Sequence, residues 1–107
     1  MSSARLDRLA QLADLLHARD MAKLGRLVQA REQWAARIAA LPTRLEMTEN
    51  PALNAARLAH AKWAQAQRIG LTQKLARHTA SMHEQKAVAA RSLGRSMALD
   101  KLRKSAR

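Results

Sequence analysis

Two long stretches without proline, separated by one short segment that proline bounds at both ends, most constrain how this chain folds. The 107 residues include only two prolines, Pro42 and Pro51. Proline cannot donate the helical hydrogen bond and disfavours helical conformation in the preceding residue, so Pro42 ends a helix, whereas Pro51 suits the first turn of another. The pattern predicts a first helix over about residues 4–41, a turn over about 42–50 and a second helix over about 51–104.

Apolar residues recur every three or four positions along both stretches, the spacing of one face of a helix. Few glycines and few β-branched residues argue against a sheet protein. We therefore predict an all-α fold, an antiparallel two-helix coiled-coil hairpin with a longer second helix, as a single domain over residues 1–107. The expected helix seam contains Leu24, Gly25, Leu27, Trp34, Ile38, Trp63, Gly70, Leu71, Leu75 and Met82.

A compact turn would fix which residues face each other. It would place Gly25 opposite Gly70 and His17 opposite His78, with Trp34 near Ala61 and Trp63. By the same reasoning, residues from about 92 onward would extend past the first helix as an unpaired overhang. This overhang keeps leucines among many cations, so we expect it to dock on a partner.

Charge is the second constraint on function. Lys and Arg number 20 against 8 Asp and Glu, a net charge of +12, and the second half of the chain carries most of the excess. Such an imbalance favours an acidic partner, either a protein surface or nucleic acid. The candidate partner-binding residues are those at the end of the second helix: Arg91, Leu93, Arg95, Met97, Leu99, Lys101, Leu102, Arg103 and Lys104.

Residue patterns for catalysis or metal binding are missing. The chain has no cysteine, its three glycines stand apart, and its four histidines lack metal-ligand spacing. No carboxylates are paired as a general acid and base within a helix. We expect no enzyme activity, no metal and no cofactor. No apolar run reaches the length of a membrane span, so we expect a cytoplasmic protein.

The C-terminal segment "ARSLGRSMALDKLRKSAR", with the basic composition and the two-helix pattern, resembles the flagellar export chaperone family FliJ and its counterparts among the stalk proteins of type III secretion. The resemblance implies a coiled-coil stalk that inserts both chain ends into a hexameric export ATPase and contacts the export gate and substrate chaperones. On this reading Arg91, Arg95, Lys101, Arg103 and Lys104 would meet the ATPase ring.

Two alternatives remain open from the sequence. A basic helical protein can bind nucleic acid non-specifically, although the absence of Phe and Tyr disfavours base stacking. The chain can also associate with a second copy as a four-helix-bundle scaffold, for which Leu12 and Leu15, off the main apolar stripe, would supply the interface.

Overall fold

The computed structural model describes residues 2–106, which form two α-helices and, within that range, no strand. Helix α1 spans Ser3–Ala39 and helix α2 spans Pro51–Ser105. The prediction of an all-α helical hairpin with a longer second helix is confirmed.

Each helix begins at a capping side chain. The Ser2 hydroxyl oxygen accepts a hydrogen bond from the Arg5 backbone N–H at 3.3 Å, and the Asn50 side-chain oxygen accepts one from the Ala52 N–H at 3.0 Å. These bonds satisfy backbone donors that have no partner inside the helix. Pro51 occupies the first helical position, where its missing N–H costs nothing.

The chain divides into two compact units that both helices enter. We call residues 2–29 with 79–106 the terminal unit, because it contains both described chain ends, and residues 30–78 the connector unit. The buried apolar side chains of the terminal unit are Leu6, Ala10, Ala13, Met82 and Ala89, and most of them are alanines. A methyl group fills little volume, so this seam depends on close packing rather than on large side chains.

Within the connector unit the helices pair in a different register from the one predicted. Trp34 lies against His78, with 5.8 Å between ring centroids, and not near Ala61 and Trp63. The reason lies in residues 40–50, which do not form a compact turn. Arg68 donates a hydrogen bond to the Pro42 carbonyl at 2.8 Å.

The connector follows the first turns of α2 in an extended conformation. Arg57 donates to the Glu46 carbonyl at 2.9 Å, and Asn54 donates to the Thr48 carbonyl at 2.7 Å. An extended residue advances about 3.3 Å and a helical residue about 1.5 Å, so the six steps from Pro42 to Thr48 cover about the same length as the fourteen helical steps from Asn54 to Arg68. The sequence prediction missed this difference in rise.

In the terminal unit, too, the two helices pair in a register different from the predicted one. His17 Nδ1 lies 3.0 Å from the Ser92 hydroxyl, so His17 faces Ser92 and not His78. Asp7 lies 3.8 Å from the Arg103 guanidinium. The prediction that residues from about 92 onward form an unpaired overhang is therefore wrong, because this segment packs along the first part of α1.

Candidate protein-docking site

An apolar groove runs between the two helices of the terminal unit. Its volume is about 350 Å³, and arginines Arg19 and Arg95 lie at its margin. Leu12 and Leu102 in the groove are 53% and 55% exposed. Apolar surface of this kind marks an interaction site when the residues around it are charged. The leucines that line the groove are Leu9, Leu12, Leu16, Leu99 and Leu102.

The groove contains three of the nine predicted partner-binding residues. Arg95, Leu99 and Leu102 line it. Leu99 and Arg103 are half-buried, whereas the other seven are exposed. The six that do not line the groove are Arg91, Leu93, Met97, Lys101, Arg103 and Lys104.

The sequence prediction missed the contribution of α1 to this site. The apolar spacing of the first helix places Leu9 and Leu16 on its main stripe, and Leu12 off that stripe on the interface predicted for self-association. A register in which α1 faces residues 92–105 would have brought them together with Leu99 and Leu102. No local sequence signal gives this register, because it depends on the extended conformation of residues 40–50 and on the hydrogen bonds that Arg57 and Arg68 donate to them.

Buried polar groups lie beside the groove. Asp20, Gln85 and Ser92 are each only 5% exposed. The Gln85 side-chain amide donates to the Asp20 backbone carbonyl at 2.9 Å, and the Ser92 hydroxyl donates to the Ala89 carbonyl at 3.0 Å. Because a buried polar group is costly without a partner, the Gln85–Asp20 contact, which joins the two helices, favours one register over others, whereas the Ser92–Ala89 bond lies within α2.

The Asp20 carboxylate is stabilised in its ionised form. Burial opposes ionisation, but the hydrogen bond and the positive charge of the Arg19 guanidinium favour it and hold the pKa of Asp20 below its usual value. The Arg19 guanidinium contacts the carboxylate at 3.1 Å. One of the two arginines at the groove therefore already has an anionic partner within the chain.

The end of α2 has its own ion pairs. Asp100 contacts Lys104 at 3.0 Å and Arg103 at 2.8 Å. Hydrogen bonds from Lys104 and then from Arg103 lower the pKa of the Asp100 carboxyl, despite partial burial. Asp100 and Asp7 both lie near Arg103. Arg95 and Lys101, in contrast, form no ion pair with the described residues.

The predicted seam residues differ in burial. Met82 is buried, and most of the others are half-buried: Leu24, Leu27, Trp34, Ile38, Gly70, Leu71 and Leu75. The expected burial of Trp63 is wrong, because its side chain is 52% exposed and stacks on His60. Gly25 is exposed as well. A Cβ atom added at Gly25 or Gly70 would meet no atom within 4 Å, so neither glycine allows a close backbone approach.

Trp34 has a cationic environment within the connector unit. The Arg37 guanidinium lies 4.8 Å and the Lys74 ammonium 5.0 Å from the centroid of its ring. Cations at these distances are attracted by the ring face. Trp34 thus packs among polar neighbours rather than in an apolar core.

The described residues include no group of three or more His, Cys, Asp or Glu side chains placed to hold a metal ion. None of the helices in the described range is long and apolar enough to cross a membrane. The arrangement offers an apolar groove, a cationic margin and a buried polar network, which are features for binding. No protein-family model matches the chain, and no curated protein or solved structure is significantly similar to it.

Proposed function

We propose that this chain is a non-enzymatic coiled-coil protein that docks on an acidic partner protein through its terminal unit. The observation that carries the proposal is the leucine-lined groove of that unit, with exposed Leu12 and Leu102 beside Arg95. Complete burial of an exposed leucine side chain contributes about 2 kcal/mol. Covering the exposed halves of Leu12 and Leu102 therefore contributes about 2 kcal/mol in total.

Charge complementarity selects an acidic partner over a second copy of this chain. Residues 1–29 and 79–107 contain twelve Lys and Arg against five Asp and Glu. Two such units would repel each other, whereas a partner with carboxylates beside an apolar ridge would meet both the leucines and the cations.

The specific form of the proposal is a stalk or chaperone component of the FliJ type in a flagellar or type III export apparatus, with the cytoplasmic export ATPase as the partner. The support is the resemblance of the C-terminal segment together with the pairing of both described chain ends in one unit. Insertion of both ends into a ring requires that the two ends lie together. The contact between Asp7, near the start of α1, and Arg103, near the end of α2, brings them together.

The test is calorimetric titration of the full chain against the purified export ATPase of the same genome. The double variant Leu12→Glu with Leu102→Glu should weaken binding at least tenfold, because it places carboxylates in the groove. Leu58→Glu is the matched control, since Leu58 is 43% exposed and belongs to the connector unit; its affinity should change less than twofold.

Three results would contradict the proposal. They are absence of binding, equal loss in both variants, and sedimentation of the unmodified chain as a stable dimer that the groove variant dissociates. The last result would indicate the self-associating scaffold instead.

A further inference from the structure

A cleft of about 560 Å³ lies in the connector unit, between the extended connector and the first turns of α2. Three arginines line it, Arg44, Arg57 and Arg68, together with His60. Glu46 is the only carboxylate in the lining, so the cleft has an excess of positive charge. Its residues are distinct from those of the leucine-lined groove.

Two of these arginines are held in place by the backbone of the connector. Arg57 donates to the Glu46 carbonyl at 2.9 Å, and Arg68 donates to the Pro42 carbonyl at 2.8 Å. A guanidinium group has five N–H donors, so each keeps donors for another acceptor. Arg44 forms no hydrogen bond or ion pair with the described residues. The cleft therefore presents fixed and free guanidinium groups along its length, and such groups are suited to bind phosphate.

An aromatic surface lies next to the cleft. The rings of His60 and Trp63 stack with 5.4 Å between centroids and an angle of 21°. His60 lines the cleft, and the Trp63 side chain is 52% exposed. Tryptophan carries a large apolar ring system that is usually more buried than this. Its exposure beside arginines supplies the stacking surface that the lack of Phe and Tyr had argued against.

We propose that the connector unit binds a nucleotide, with the base stacked on Trp63 and phosphate bound by the arginines along the cleft, Arg44 first among them. Stacking on an aromatic side chain strengthens binding of a base by about ten- to hundredfold. A free phosphate would not stack on the Trp63 ring, and an acidic side chain has no planar ring that could stack on it. The ligand chemistry is a planar base that carries a phosphate, supplied either by a free mononucleotide or by a single-stranded nucleic acid.

The experiment titrates the full chain with AMP and, separately, with a fluorescein-labelled twelve-nucleotide oligouridine. Anisotropy reports oligonucleotide binding, and quenching of tryptophan fluorescence reports stacking in both arms. Trp34→Phe leaves Trp63 as the only tryptophan for the quenching measurement. Saturable quenching by AMP indicates a mononucleotide site, and quenching by the oligonucleotide alone indicates a single strand; either result supports the proposal.

The variants separate stacking from general charge attraction. Trp63→Leu should weaken binding of the ligand that quenches at least tenfold, and Arg44→Gln at least fivefold. Both side chains are exposed, so the fold should survive, and helicity by circular dichroism checks this. Arg77→Gln removes an exposed cation of the same unit that does not line the cleft, and it should change affinity less than twofold.

The proposal is overturned if neither ligand binds, if Trp63→Leu binds like the unmodified chain, or if Arg77→Gln weakens binding as much as Arg44→Gln. It is also overturned if polyglutamate competes as well as the oligonucleotide does, because the site would then recognise negative charge alone.

Discussion

Replacement of Ala89 by leucine tests whether the seam of the terminal unit is closed. Ala89 is 4% exposed and lies in α2 between Gln85 and Ser92, whose side chains contact Asp20 and His17 of α1. Leucine and alanine are both good helix formers, so the substitution changes side-chain volume far more than it changes the preference for helix.

The expected magnitude depends on the space at this position. Leucine adds three carbon atoms, which would contribute about 2 kcal/mol if an open space accepted them. In a closed seam the same atoms force side chains off their preferred rotamers and move the helices apart, at a cost of about 1–3 kcal/mol. Because three of the buried residues are alanines, we expect the closed case, and Ala89→Leu should lower the free energy of unfolding.

Urea unfolding, followed by circular dichroism at the helical minimum, measures this change. Ala90→Leu is the matched control, because Ala90 is the next residue of the same helix and is exposed. The control should alter the free energy of unfolding by less than about 0.5 kcal/mol. The reasoning is refuted if Ala89→Leu is as stable as the control or more stable, since the seam would then contain unfilled space.

Four further predictions concern two polar residues of the seam, the Trp34 ring and the end of the chain. Gln85→Ala should lower the free energy of unfolding by about 2 kcal/mol, through a lost hydrogen bond and a small cavity, whereas Gln85→Leu should cost less in the same urea experiment because it fills the volume; equal losses would contradict this. Since the folded pKa of Asp20 is lowered, its contribution to stability is present above the ordinary value of 3.8 and is lost as the pH falls through the folded pKa. Asp20→Asn should therefore reduce the loss of stability between pH 4 and pH 2, and an unchanged pH profile would argue against an ionised Asp20. Trp34→Ala should lower the free energy of unfolding by about 1–2 kcal/mol, because the ring is half-buried and packs against charged side chains, and an unchanged melting temperature would show that the ring stabilises nothing. Truncation after Ser92 should reduce helicity by more than the deleted residues account for, because α1 loses its facing segment; a purely proportional loss would contradict the observed register.

The sequence predicts the helices of this chain well because their ends are determined locally. Pro42 excludes a continuing helix, and Asn50 with Pro51 starts a new one through side chains only two or three residues from the backbone groups they satisfy. Helix bounds of Ser3–Ala39 and Pro51–Ser105 differ from the expected ones by one or two residues. Signals of this kind need no knowledge of tertiary contacts.

The register could not be predicted in the same way, because it depends on the conformation of the connector. Arg57 and Arg68 hold the connector by hydrogen bonds to its backbone, and nothing in their local sequence distinguishes them from solvent-exposed arginines. The exposure of Trp63 could not be predicted from local sequence either. Its spacing fits an apolar stripe, but a helical stripe is buried only where another element covers it.

Polar residues in the seam explain how a thin, alanine-rich interface specifies one alignment. Alanine against alanine packs almost equally well when one helix slides past the other, so apolar contacts alone discriminate poorly between registers. The Gln85 amide reaches the Asp20 carbonyl, and His17 reaches Ser92, only in the observed alignment. A shifted register separates the Gln85 amide from the Asp20 carbonyl, at a cost of about 1–3 kcal/mol where the amide stays buried without a partner. Residues that interrupt the apolar stripe therefore fix which leucines of α1 and α2 meet across the groove, and so define the docking site.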